Sequence, residues 1–380
     1  MIFFDQPYIS DFLLETASHE NWPVLDSSFA RELAKKTSLN LVSEKEAIGR
    51  AKAGEKLYAS SENSLEWIME NLGDLPVSRH IKLMKDKSAL RKVLEPLDPG
   101  FFYRKIPAVS LKETDISSWP MPFVLKPGTG FLSLGVHVIK DESDWKNACG
   151  IIEKEFSGSA LPPSVLDPQI FIAEQYVKGE EYAVDLYFDD EGEPVILNIF
   201  KHQFASMDDV SDRLYLVSYD IVNSRYDMLL QWFRKVNRLM RVKNFPVHVE
   251  LRIDGSMIRP IEFNPLRFAG LGGTDMAFYA FGVNTANCWM KGIKPDLKAI
   301  LREREDKIYS MILLDRHPSM PKNAQIDFNR LSRDFQKILQ WRPMNIPGIP
   351  LFGFLFTETS KDNYGELEHI LHSDLQKYIF

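Results

Sequence analysis

The sharpest pattern in the chain lies at 245–273, FPVHVELRIDGSMIRPIEFNPLRFAGLGG, where two runs of alternating apolar and polar residues flank Asp254-Gly255. In the first run Val247, Val249, Leu251 and Ile253 point one way and His248, Glu250 and Arg252 the other. In the second, Glu262 and Asn264 share a face, with Ile261 and Phe263 on its reverse. Asp-Gly between such runs predicts a β-hairpin. A two-residue turn pairing Ile253 with Ser256 would send Glu250 and Glu262 to opposite faces. A three-residue loop, 253–255, pairs Arg252 with Ser256 and gathers His248, Glu250, Glu262 and Asn264 on one face. The second register is expected, because the first sets a polar pair against the core.

Upstream, residues 1–85 alternate short apolar runs with helical patterns: strands at IFFDQPY, WPVLDS, LNLVSE and KLYASS, helices at DFLLETASH, SSFARELAKKT, 44–55 and SENSLEWIMENLG. That rhythm predicts a small parallel α/β unit. A helix follows, beginning near Asp86-Lys87-Ser88 and ending before Pro96, then a Pro-containing connector, 98–120. FVLK and VHVIK read as strands around a glycine-rich loop, PGTGFLSLG, followed by a helix at 142–156. Strands follow at Ile170–Tyr176, Glu181–Phe188 and Val195–Phe200, then a loop after 205, a strand in LYLVSYD and a helix, SRYDMLLQWFRKVNRLMRV. Past the central hairpin come a helical region from 274 and a tail, 295–380. The tail reads helix, strand KIYSMILLD, helix FNRLSRDFQKILQW, strand PLFGFLFTET and helix GELEHILHSDLQKYI.

Composition narrows the class. The chain has 380 residues, enough for two or three domains, with 44% apolar and 26% charged residues and a net charge of −7. No Lys/Arg run appears, which speaks against nucleic acid or an anionic membrane as partner. No stretch approaches the roughly 18 apolar residues of a membrane span. MIFFDQPYIS has no basic region before its brief apolar run and reads as a strand, not a signal peptide. Cys149 and Cys288 have neither metal nor redox spacing, so a reducing cytoplasm is expected.

Three stretches carry candidate chemistry. The hairpin offers two carboxylates and an amide oxygen, the hard ligands Mg²⁺ prefers. The glycine loop frees backbone amides for phosphate oxygens, with hydroxyls at Thr129 and Ser133. It is not a Walker A loop, because its lysine precedes the glycines and a strand follows. Glu174–Val177 is either a plain strand connector or a hinge whose backbone groups read a base edge, with Glu181 reaching a sugar hydroxyl. Arg213 and Arg252 are candidates to clamp a substrate carboxylate.

Together VLKPGTGFLSLGV, AEQYVKGEEYAVD and HVELRIDGSMIRPIEFNP resemble, in order and spacing, the ATP-grasp ligases over roughly 80–273. The resemblance implies an α/β fold of three parts. These are a Rossmann-like pre-ATP-grasp domain at 1–85, an ATP-grasp domain at 86–290 and a small C-terminal α+β module at 291–380. The middle part divides into a glycine-loop subdomain, about 86–170, and a metal and substrate subdomain, about 171–290. ATP would lie between them. Lys87 and Lys126 look like the cations on the nucleotide phosphates, and Gly130, Ser133 and Gly135 like the flap over them. Glu174, Gln175 and Val177 resemble the adenine hinge and Glu181 the ribose contact. Glu250, Glu262 and Asn264 resemble the ligands of Mg²⁺ or Mn²⁺.

Two positions depart from the family's commonest pattern. Leu266 stands where an arginine often follows Asn-Pro, and Arg267 comes one residue later, aimed at phosphate or at substrate. Gln175 replaces a frequent acid. The His248-x-Glu250 pattern resembles members that join amino acids or short peptides. The implied activity is an ATP-dependent carboxylate–amine ligase, forming an acylphosphate and then an amide, with release of ADP and phosphate. Its partners are small carboxylates and amines, amino acids among them; oligomeric state, homodimer included, stays open. Lys126 and Arg267 would be the catalytic cations; no general base is evident, and His202 and His248 are either general-base candidates or structural histidines. Alternatives are a non-catalytic ATP-binding sensor or partner module, and phosphoryl transfer to a non-carboxylate acceptor.

Overall fold

A computed structural model describes all residues except 129–134, 157–168, 207, 208, 210, 318, 322, 345, 347 and 348, and the side chains at 155 and 156. Its strands form three sheets. Strands β1 (Ile2–Phe3), β2 (Pro23–Leu25), β3 (Asn40–Val42) and β4 (Tyr58–Ala59) make a parallel sheet in the order β3-β2-β1-β4, with helices between them. Ser10, Ser27 and Ser43 each cap one of those helices by accepting a backbone N–H. Consecutive helices Pro76–Lys85 and Lys87–Leu94 lead out, separated by Asp86, whose carboxylate caps the second through Ser88 and Ala89.

The second sheet is antiparallel, order β5-β8-β6-β7, from β5 (Tyr103–Pro107), β6 (Phe123–Pro127), β7 (His137–Ile139) and β8 (Ile170–Gln175). The stretch 98–120, expected as a connector, contains β5. Ile106 buries into this sheet's core beside Phe123, Leu125 and Phe171, and pairing with β8 orders the rest.

The third sheet has eight antiparallel strands, β13-β12-β9-β10-β11-β14-β16-β15. These are β9 (Glu180–Phe188), β10 (Pro194–Gln203), β11 (Leu214–Ser218), β12 (Phe245–Asp254), β13 (Met257–Pro265), β14 (Lys307–Asp315), β15 (Lys337–Pro343) and β16 (Leu351–Ser360). Helix Tyr219–Met240 contributes Leu229, Trp232, Phe233 and Val236 to one apolar cluster with Val247, Val249, Leu251 and Ile253 of β12. Burying each such side chain is worth roughly 1.5–3 kcal/mol, which fixes the facing of β12 and leaves its polar positions on the opposite side.

The tail's strands extend this same sheet. The helix expected over 328–341 stops at Leu331, and 337–343 forms the edge strand β15. Pairing along β16, with Trp341 stacked on Phe328 at 5.7 Å, overrides the helical pattern. The last helix spans Gly365–Leu371, shorter than the sequence pattern suggests.

Candidate active site

The hairpin places His248 opposite Asn264 and Glu250 opposite Glu262, all on one face. The expected three-residue loop is not how this comes about. Asp254 pairs with Met257 across a two-residue turn, Gly255-Ser256, with Gly255 at φ 60 as a first central glycine allows. Such a turn alone would separate the two glutamates. A register shift restores them: Leu251 faces Pro260, Glu250 faces Glu262, and Ile261 is the extra residue of a β-bulge. Pro260 explains its position, since proline gives the ladder no N–H and is tolerated on an edge strand such as β13.

Across β12 the same face continues onto β9. His248 lies opposite Asp185, and Arg252 opposite Glu181. Asp185 is fully buried and gathers His248 Nδ1 at 2.7 Å, the Ala269 amide at 2.8 Å and the Thr274 hydroxyl at 2.7 Å. His248 Nε2 lies 3.7 Å from Glu250 Oε1. Burial disfavours the imidazolium, but Asp185 and then Glu250 outweigh it and push His248 up to about 9. His248 is therefore a charged link between Asp185 and Glu250, not a group held out to substrate.

Each candidate cation meets a carboxylate. Lys87 Nζ donates to Glu262 Oε1 at 2.9 Å. Lys126 Nζ sits 2.7 Å from Glu174 Oε2, whose carboxylate also takes a two-pronged bond from Arg91 at 2.7 and 3.2 Å. Arg267 Nη2 donates to Glu62 Oε1 at 3.0 Å, and Lys85 to Glu62 Oε2 at 2.5 Å. Burial opposes ionisation of Glu174, yet Arg91 and Lys126 hold its carboxyl down to about 2. Burial keeps Lys126 below the ordinary lysine value despite Glu174. Burial raises Glu250, and the facing Glu262 adds to it; Glu262 itself is held low, because Lys87 and Lys85 overcome burial.

The hinge stretch is braced by Arg252. Its Nη1 donates to the Val177 carbonyl at 2.7 Å and its Nε to Glu181 Oε2 at 2.9 Å, over the Tyr176 ring. His202 holds the other Glu181 oxygen at 2.9 Å. The Gln175 amide donates to Phe102. Gly179, at φ 111, is required here: a Cβ would lie 2.3 Å from the Ile253 carbonyl. Arg252 thus serves the hinge in this structure. Arg213 joins none of these groups. It donates to the Ile370 and Ser373 carbonyls at 3.1 and 3.0 Å and pairs with Asp315, closing the C-terminal end of helix Gly365–Leu371. Gly135 has φ 71; Thr129, Gly130 and Ser133 lie outside the described residues.

The sequence reading missed Asp185, Glu62, Lys85 and Arg91. Two carried a signal: Asp185 interrupts an apolar strand with the parity of Glu181, and Arg91 lies one helical turn after Lys87. Glu62 and Lys85 carried none, because only the fold brings 62 and 85 to 267.

Among the described residues no group of three or more His, Cys, Asp and Glu side chains could enclose a metal. Two carboxylates and the amide of Asn264 on one face fit instead a hard cation that completes its shell from phosphate and water.

Residues 119–275 match the family model of the ATP-grasp domain. No curated protein sequence matches the chain. Among solved structures it is similar to an L-amino acid ligase from Bacillus licheniformis at 14% identity and TM-score 0.68, covering 100% of this chain and 96% of that one. It is similar to an N5-carboxyaminoimidazole ribonucleotide synthetase from Thermotoga maritima at 13% identity and TM-score 0.63, covering 100% and 97%. Biotin carboxylase from Campylobacter jejuni follows at 12% identity and TM-score 0.59, covering 91% and 84%. The chain has the ATP-grasp fold, and the family match covers residues 119–275. No helix among the described residues is long and apolar enough to cross a membrane.

Proposed function

We propose that the chain is an ATP-dependent carboxylate–amine ligase, acting on small molecules such as amino acids. The observation that carries this reading is the one-face array of Glu250, Glu262 and Asn264, with Lys87, Lys126 and Arg267 as the cations. Amide synthesis from a carboxylate needs a leaving group, and attack of the carboxylate on the γ-phosphate supplies it as an acylphosphate. An amine then displaces phosphate. Transfer of the phosphoryl group spreads negative charge over its oxygens, so catalysis is positioning and charge neutralisation. Lys87 and Lys126 would bind the nucleotide phosphates, and Arg267 would face the transferring group. Glu250, Glu262 and Asn264 would hold Mg²⁺, which when bound supplies Lewis acidity toward phosphate oxygens. Val177 and Glu181 would meet the base and ribose, with Gly130, Ser133 and Gly135 covering the phosphates.

The L-amino acid ligase likeness supports amino acids as substrates. Separate sheets before and after residue 85 support the proposed boundary there between the N-terminal and ATP-grasp domains, while the strands of the proposed C-terminal module, 291–380, continue the eight-stranded sheet of 86–290. Buried free thiols at Cys149 and Cys288 support a cytoplasmic setting.

The test is Mg-ATP with pooled amino acids and small carboxylic acids, read by mass spectrometry. Pool-dependent ADP with a new condensed mass is the expected result. A phosphorylated acceptor would replace the ligase by a phosphotransferase, and Mg-ATP binding without turnover in any pool would replace it by a nucleotide-binding module. Glu262→Ala is expected to abolish Mg²⁺-dependent turnover with the far-UV circular dichroism unchanged; wild-type turnover in that variant would sink the metal assignment.

A further inference from the structure

Arg267 is a half-buried cation one residue out of the family's usual place, and the chain goes to some length to aim it. Leu266, fully buried, adopts φ 62, a conformation a branched side chain adopts only under constraint. Two backbone bonds impose it: the Leu266 amide donates to Pro246 at 2.9 Å, and its carbonyl accepts from the Ala59 amide at 2.8 Å. Three residues beyond Ala59, Glu62 takes the guanidinium at 3.0 Å, while Arg267 Nη1 donates to the Phe268 carbonyl at 2.9 Å. The short stretch 59–62 therefore fixes both the backbone before Arg267 and the side chain itself.

The electrostatics say why a dedicated carboxylate is needed. After Glu62, the strongest remaining attractions on Arg267 come from Glu262 and Glu250. Without Glu62, those two carboxylates would be the strongest attractions left to the guanidinium. Glu62 draws it away. Lys85, on the second Glu62 oxygen at 2.5 Å, cancels the added negative charge, so the Lys85–Glu62–Arg267 trio keeps one net positive charge. Side-chain exposures of 9%, 11% and 14% for Lys85, Glu62 and Arg267 keep these interactions weakly screened.

We infer that Glu62 is the positioning residue for Arg267, so that the N-terminal domain sets the cation of the phosphoryl-transfer step in a domain it does not belong to. This rests on the ligase reading, through the role given to Arg267.

The experiment measures ADP release from Mg-ATP with the pooled amino acids for wild type, E62A, E62Q, R267A and the double variant E62A/R267A. E62A is expected to lower kcat about 10²-fold while the KM for ATP moves less than about threefold, since the group acts on the transfer step and not on nucleotide binding. In the R267A background, E62A should add less than about threefold, because a residue acting through Arg267 has nothing left to act on. E62Q keeps the shape and one acceptor oxygen and should lose about tenfold in kcat even if E62A does not fold. Full activity in E62Q, or losses that multiply in the double variant, would overturn the inference while wild-type turnover leaves the ligase reading standing. A wild type that releases no ADP with any pool overturns both.

Discussion

Asp185→Asn isolates the hub behind the hairpin that carries Glu250 and Glu262. The substitution keeps the size of the side chain but removes the charge that faces His248 at 2.7 Å and that accepts from Ala269 and Thr274. His248 is 8% exposed at the side chain, so its pairing is barely screened. Its pKa stands at about 9 against an ordinary 6.5. At about 1.4 kcal/mol per unit, the raised value corresponds to about 3 kcal/mol of folding stability. The sign follows from the direction: a folded-state pKa above the unfolded one stabilises fully below about 6.5, and that stability is lost as pH rises through about 9. Asp185→Asn should therefore remove the larger share of that stability at pH 6, Glu250 retaining the rest, with the gap closing by pH 10 to the smaller, pH-independent loss of the weakened Ala269 and Thr274 bonds. Urea unfolding of both proteins from pH 6 to 10 measures it. A gap that stays constant with pH would show that His248 is not held charged by Asp185, and the charged-link reading of the hairpin would fall.

Two further predictions follow from the same kind of pairing. Glu174, 4% exposed at the side chain, has its carboxyl held down to about 2 against an ordinary 4.5, so its stabilisation of about 3 kcal/mol is present above pH 4.5 and lost as pH falls toward 2. Glu174→Gln should unfold more easily than wild type at pH 7, and the difference should shrink through that acid window in a circular dichroism titration. Arg213→Met should lower the urea midpoint by the equivalent of about 1–3 kcal/mol, because the Ile370 and Ser373 carbonyls lose their donor while the half-exposed Asp315 stays hydrated. The same variant should leave the KM for every substrate unchanged; a tenfold rise in a carboxylate KM would return Arg213 to the substrate site.

How far the sequence reaches is shown by the hairpin itself. Alternation along 247–253 and 261–264 placed the right residues on one face, since a core-facing row of Val, Val, Leu and Ile admits one facing. The turn was misjudged for the same reason the pairing was foreseen: parity needed one extra residue, and nothing local said whether the loop or the strand held it. Pro260 was the overlooked clue, a proline inside a strand pattern that marks an edge or a bulge. Residues 328–341 failed differently. Their edge strand exists because β16 is there to pair with, a long-range contact that local helical spacing does not register. Glu62 and Lys85 belong to this second kind, as their chemistry depends on contacts 205 and 23 positions apart in the chain.

The buried charges of the cleft follow one rule. A site for a metal nucleotide must present carboxylates to the cation and lysines to the phosphates, in the same weakly hydrated space. Leaving any one of them unpaired costs about 3–5 kcal/mol, so the protein alone can carry this set only by pairing its members with one another. The structure does so: Glu262 with Lys87, and Glu174 with Lys126 and Arg91. On the ligase reading, a ligand that brings both charge signs together lets Glu262 and Lys87 exchange partners with neither left bare. A free divalent cation would take Glu262 and strand Lys87, and free nucleotide would do the reverse. On that reading the pairing would make the site selective for the complex of the two, and the Glu62 contact at 3.0 Å would hold Arg267 apart from that exchange.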